Sequence, residues 1–423
     1  MDGITISVAG ALVSLAVAIV LILKKVQPTY AMIFGAIVGG LVGGAGLSGT
    51  VDSMISGTQG MISAIIRIVT AGILAGALIE SGAAERIAEA IISKLGEKRC
   101  LIAMMLATWV LTAVGVFGDV AVITVSPIAM QMAQRAGYHK LGVLMAMVGG
   151  VKAGNVMSPN PNAIAASEAF GVPLTSVIAV GILPAVTALV VTSFLARSLA
   201  KKGTEFAASD IVMMEKRDLP SLGAALAGPA VTIILLLLRP FAGVTIDPLI
   251  ALPVGGIAGA VAMGKAKYLL RYFTEGLAKM SGVAMLLIGT GALSGIISNS
   301  ELNNAITGII EAMGLPTFML APIAGILMGA ATASATSGTT LGSQIFGPTV
   351  VASGVPSLAA AAMTHAGSFA FDGLPHGSFF HVSAGAVNME IRERLKLIAY
   401  ESLNGLAMVA VSTLVFGVLR VLG

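Results

Sequence analysis

The chain has 423 residues, of which 57% are hydrophobic and 10% charged, and its mean hydropathy is +0.97. A soluble domain needs about a quarter of its residues charged, so composition excludes a soluble protein and implies an integral membrane protein. The formal charge of +4 is not pooled in one patch, which excludes a nucleic-acid role. One cysteine, Cys100, excludes an internal disulfide framework.

From the N-terminus, apolar runs lie near residues 4–23, 30–46, 62–80, 101–135, 141–170, 174–196, 220–238, 248–264, 274–297, 316–352, 355–389 and 397–420. A span needs about 20 apolar residues. The first run has no basic stretch before it, and reads as a retained span rather than a cleaved signal. The runs 101–135, 141–170, 316–352 and 355–389 are too long for one crossing or are broken midway.

Lysine and arginine concentrate in connectors on the cytoplasmic side. They gather at Lys24–Lys25, Arg86 to Arg99, Arg135 to Lys140, Arg197 to Arg217, Lys265 to Arg271 and Arg392 to Lys396. The opposite connectors, near 47–60, 171–173, 240–247, 298–315 and 353–354, hold Asp52, Asp247, Glu301 and Glu311. Both sets are consistent only if 101–135 and 316–352 each enter and leave on one side, as re-entrant hairpins. The expected topology has ten spans, two hairpins and both termini outside.

An internal repeat gives the same organisation. "ALIESGAAERIAEAIISKLG" (77–96) aligns with "GIISNSELNNAITGIIEAMG" (295–314), and "IVGGLVGGA" with "PVGGIAGAV". "VSPIAMQMAQRAG" aligns with "FGPTVVASG", and "KAGN" (152–155) with "HAGS" (365–368), all in the same order. The expected fold is therefore an all-α polytopic membrane protein of two inverted repeats, residues 1–218 and 219–423. Each repeat holds five transmembrane segments, one re-entrant hairpin and one discontinuous helix, an architecture found in secondary transporters. The glycine steps Gly35/Gly39/Gly43 and Gly40/Gly44 indicate close helix packing only.

Four interruptions carry the candidate chemistry: the hairpin tips "VFGDVAV" (116–122) and "ATASATSGTTLG" (331–342), and the breaks "KAGNVMSPNPNA" (152–163) and "THAGSFAFDGLPHGSFFH" (364–381). Unpaired backbone is expensive in hydrocarbon and survives only inside protein or beside a water-filled cavity. The four breaks therefore imply one shared polar cavity, where half-helix N-termini offer N–H groups to an anion.

Asp119 reads as a proton carrier or substrate contact, or as a cap at the hairpin tip. Lys152 and His365 hold matched repeat positions: the lysine suits a substrate carboxylate, or an internal ion pair with a carboxylate such as Asp119, and the histidine titrates near neutral pH. Asp372 and His376 flank the second break as proton-relay candidates, with turn capping the alternative for Asp372. Asn155, Ser158, Asn160, Asn162, Ser337, Thr339, Thr340 and Ser368 supply amides and hydroxyls for a hydroxylated or carboxylated solute. Pro159 and Pro161 end one half-helix and start the next. Arg67, Glu80 and Lys279 also fall inside apolar spans, while His139 and His381 read as peripheral. GxxxxGK[ST], HExxH and GxSxG are absent, so the chain reads as no enzyme and needs no cofactor.

At "VFGDVAVITVSPIAMQMAQRAG", "GNVMSPNPN", the SGTT tip and "HAGSFAFDGLPHGSFF" the chain resembles the gluconate permease family, proton symporters of sugar acids within the ion transporter superfamily. The resemblance implies a homodimer in the bacterial inner membrane and elevator-like movement of a transport domain against a scaffold. It implies proton-driven uptake of a small organic anion such as gluconate. The SGTT tip is also similar to sodium-coupled relatives, which leaves sodium coupling open, and a passive anion channel is the other alternative.

Overall fold

The computed structural model describes residues 5–207, 210, 218–242, 244, 246–302, 305, 308 and 316–422. The described residues are mostly helical and contain isolated bridges but no strand. Much of the second copy of the expected repeat, 303–304, 306–307 and 309–314, lies outside them, as do Glu311 and the connector residues 211–217.

The first layer is built from α1 (Val8–Leu23), α2 (Pro28–Val42), α3 (Gly46–Gln59), α4 (Ile62–Glu80), α11 (Leu222–Ala242), α12 (Pro248–Ala262) and α13 (Leu269–Ser298). Proline opens α2 and α12 at a position whose N–H would lack a helical partner anyway, and Gln27 and Asp247 cap them through Thr29 N and Leu249 N. The close-packing reading of the glycine step holds where α2 meets α1: a Cβ on Gly39 would run into Ser14. Gly44 instead turns the chain at φ +89 with open space around it.

The second group holds α6 (Cys100–Ala113), α7 (Gly118–Ala136), α8 (Lys140–Asn155), α9 (Pro161–Phe170), α10 (Leu174–Leu199), α14 (Leu320–Thr332), α15 (Ala335–Leu341), α16 (Gly347–Ala352), α17 (Ser357–Gly367), α18 (Ser378–Ala386), α19 (Ile391–Arg394) and α20 (Ile398–Ser412). Between the two groups, α5 (Ala83–Leu95) lies against α6, α7 and α11, and α9 touches α4. Each half of the sequence therefore contributes to both groups.

Helices Ile62–Glu80 and Leu174–Leu199, and the helical runs Ala266–Ser298 and Ile391–Val418, are long and apolar enough to cross a membrane. Helix α8 is buried from Lys140 through Gly154, because α6, α7 and α10 enclose it. Thr108 on α6 donates to Met147 O at 2.9 Å, securing that contact.

The four interruptions fall where the hydrophobic pattern placed them. Residues 114–117 join α6 to α7, and 333–334 join α14 to α15. Residues 156–160 separate α8 from α9, and 368–377 separate α17 from α18.

Two connectors differ from expectation. The connector near 47–60 is taken up by α3 (Gly46–Gln59), packed on α13 so tightly that a Cβ on Gly57 would run into Gly291 O. Residues 83–95 form α5, apolar toward α6 and charged outward, so its basic residues mark a helix face rather than a loop.

Candidate functional site

Both breaks and both hairpin tips open onto one cavity of about 210 Å3. Its wall contains Gly115 to Asp119, Lys152, Asn155, Asn160 to Asn162, Ala333 to Thr336, Asp372, and Ser378 with Phe379. In terms of elements, the N-terminal ends of α7, α9, α15 and α18 meet there. Each such end leaves backbone N–H groups without helical partners and carries partial positive charge.

The local sequence explains each end. Gly118 starts α7 because a Cβ there would lie 2.6 Å from Val151 Cγ1. Asn160 spans the first break: its Oδ1 accepts from Ala163 N (3.1 Å) and caps α9, while its Nδ2 donates to Asn155 O (2.8 Å) at the end of α8. Pro161 takes the first helical position. Ala333, at φ +45, reverses the chain after α14. Ser334 then caps α15 by accepting from Ser337 N at 3.2 Å. Gly377 allows α18 to begin against Ala333 O, where a Cβ would collide.

Three charged side chains line the wall. Lys152 is 1% exposed and pairs with Asp372, while also donating to Phe369 O at 2.8 Å. The internal ion pair weighed for this lysine exists, with Asp372 rather than Asp119 as its carboxylate. Asp119 is exposed in the first turn of α7, where Oδ1 accepts from Val120 N at 2.9 Å; among the described residues no cation pairs with it. Thr336 donates to Asn162 Oδ1 at 2.6 Å. The Nδ2 of Asn162 is buried with no partner, leaving an unused donor in the same wall.

Among the sequence candidates, Asp119, Lys152, Asn155, Asn160, Asn162 and Asp372 line the cavity; the others lie outside its lining. Ser158 is buried in the turn after α8 with its hydroxyl unpartnered. Ser368 donates to His365 O at 2.8 Å and, its proton so engaged, accepts from Thr339 at 2.7 Å. Thr340 is buried and unpartnered, and Ser337 contributes its backbone N–H to the Ser334 cap. His365 is buried beside Phe369, ring centroids 5.5 Å apart, with Nε2 unpartnered. His376 donates from Nε2 to Ala331 O at 3.2 Å, bracing the second tip rather than facing the cavity. His381 is exposed and donates to Pro375 O.

Ser334, Thr336 and Ser378 also line the cavity, just upstream of Ser337 or directly after Gly377, where no candidate stands in the sequence reading. A serine three residues before the next serine N–H is a capping signal that places the helix start at Ser334. It turns residues 334–336, not 337–340, toward the cavity.

A second polar cavity, about 190 Å3, lies between the two groups of helices. Arg67 of α4 lines it, pairing with Glu168 of α9 at 3.0 Å and with Asp247 at 2.6 Å, and contacting Ser63. Glu80 pairs with Arg271 at 2.9 Å. Both therefore have partners within the fold.

The GntP family permease model matches residues 6–421 of the chain. An uncharacterized transporter of Haemophilus influenzae is 56% identical over 98% of this chain and 99% of its own length. The gluconate permease of Pseudomonas aeruginosa is 26% identical, covering 91% of this chain and 92% of its own. The D-serine transporter DsdX of Escherichia coli K12 is 26% identical over 78% of this chain and 80% of its own. Among solved structures, the YdaH transporter of Alcanivorax borkumensis, whose topology is described as unusual, covers 90% of each chain with a TM-score of 0.67 and 17% identity.

Proposed function

The chain belongs to the GntP family of permeases, multi-pass transporters of the bacterial inner membrane rather than enzymes, and we propose that it carries a small hydroxy- or sugar-acid anion inward together with protons. The observation that carries this reading is the convergence of four helix N-termini on a cavity that also holds Asp119, which has no cationic partner among the described residues. The N–H groups suit a carboxylate. The Thr336–Asn162 pair and Ser378 suit hydroxyls. Gluconate and D-serine, carried by the named relatives, both bear a carboxylate and at least one hydroxyl.

Charge balance supplies the coupling. Asp119, Lys152 and Asp372 together leave the cavity with one net negative charge. A carboxylate substrate would add a second, which the low-dielectric surroundings oppose. A proton on Asp119 or Asp372 offsets it, so anion and proton load together. One such proton only restores the empty cavity's single negative charge; protons on both carboxylates leave the loaded cavity neutral and able to cross the membrane, which the empty, charged one resists.

The same reading takes the two sequence halves as inverted repeats, the first helix group as a scaffold and the second as the moving unit of an elevator. The two groups meet through α5, the α4–α9 approach and the contacts of α1 and α13 with α14, α15 and residues 342–346, while packing within each group is far denser, which supports it. A homodimer with both termini outside completes the proposal.

The test is uptake of labelled gluconate into proteoliposomes holding the purified protein. An imposed proton gradient alone should drive accumulation above the external concentration. A strict sodium requirement would replace the coupling ion, and flux that only equilibrates would identify a channel.

A further inference from the structure

Beside the second break lies a pair of charges that the cavity itself does not use. Arg394 is 0% exposed and Glu401 1%; they form a two-pronged ion pair, Nη1 to Oε1 and Nη2 to Oε2, the latter at 3.2 Å. By sequence Arg394 belongs to the basic connector Arg392 to Lys396 on the cytoplasmic side. Burying a charge costs several kcal/mol per ion, and a well-packed apolar pair is often as stable. Stability alone therefore gives no reason for this pair.

Its contacts do. Arg394 Nε donates to Ser383 Oγ at 3.2 Å, and its guanidinium lies 4.7 Å from the ring centre of Phe380. Both residues belong to α18, whose first residues, Ser378 and Phe379, line the cavity. Glu401 reaches the other side of the break: its Oε2 lies so close to Gly373 that a Cβ there would collide with it. Gly373 follows Asp372, the partner of Lys152. One ion pair thus holds α18 with its cation and packs its anion against the Asp372 loop.

We propose that Arg394 and Glu401 are positioning residues for the substrate cavity, fixing Asp372 against Lys152 and aiming the N-terminus of α18 into the cavity. Arg394 and Glu401 touch no substrate. They set the distance between a charged wall and a donor-bearing helix end that a carboxylate must bridge. The proposal rests on the cavity being the substrate site, and one arm of its test does not require transport at all.

In that arm, a reporter thiol is placed in the cavity wall by Ser378→Cys. Cys100 is buried, so labelling by a water-soluble thiol reagent reports position 378. The labelling rate is compared with and without Arg394→Met plus Glu401→Leu, a replacement that removes both charges together and leaves neither unpaired. In the other arm, the same double variant without the reporter is assayed for gluconate uptake in proteoliposomes. Both the labelling rate and the KM should shift by roughly tenfold or more, since a misplacement near 1 Å costs up to about 100-fold, while saturated turnover changes less. A folded double variant with unchanged labelling and unchanged KM overturns the proposal. Gly373→Ala keeps both charges and disturbs only the contact with Glu401; it should move labelling and KM in the same direction, and wild-type values for both would equally overturn it. Failure of wild-type protein to take up gluconate would strike the transport reading, while the labelling comparison still decides the positioning role.

Discussion

Two polar cavities of similar volume, about 210 and about 190 Å3, sit in the same molecule and differ in what their walls leave unused. Around Arg67 the polar groups answer one another, with a guanidinium held by Glu168, Asp247 and Ser63. Around Lys152 one pair is closed, but among the described residues Asp119 lacks a cation and Asn162 Nδ2 an acceptor, and four helix N-termini point inward. Volume does not separate a ligand site from a structural joint; unanswered polar groups do, because a ligand can supply what the protein withholds.

The comparison breaks most visibly at Lys152. Lys152→Ala leaves the buried Asp372 uncompensated, and losing one partner of such a pair costs about 3–5 kcal/mol; a large fall in melting temperature together with loss of uptake is expected. Lys152→Met with Asp372→Leu should recover much of the melting temperature but not uptake, and recovery of both would remove the pair from the site. Asp119→Asn comes next. The side chain is exposed, so melting should hardly move, yet gradient-driven uptake should vanish while counterflow exchange survives. Equal loss of both would assign Asp119 to substrate binding instead.

Asn160→Ala removes a cap worth about 1 kcal/mol and the bridge to Asn155 across the break, so a lower melting point and a raised KM should appear together. The smallest effect is expected in the second cavity. Arg67→Gln breaks partly exposed ion pairs worth up to about 1 kcal/mol and should leave the KM for gluconate unchanged. A KM rise matching that of Asn160→Ala would show that the Arg67 cavity also handles substrate.

Much of the cavity wall was legible in the sequence because membranes punish exposed polarity. Asp119, Lys152, Asn155, Asn160, Asn162 and Asp372 were all marked by standing in apolar sequence, and all reach the wall. Ser337, Thr339 and Thr340 lie a few residues beyond the wall, since composition marks the second tip but only the Ser334 cap fixes where its helix begins. His365 lies outside the lining for a different reason: repeat symmetry matches it to Lys152, yet its ring packs on Phe369.

Sequence alone determined that the chain lives in a bilayer, that it is helical, and where its helices break, because hydropathy and backbone hydrogen bonding are local constraints. Tertiary structure alone decided which carboxylate answers Lys152, 220 residues away in the chain, and that Arg394 turns inward to Glu401 rather than out to water. Charge pairing depends on distance in space, and no spacing along the chain encodes it.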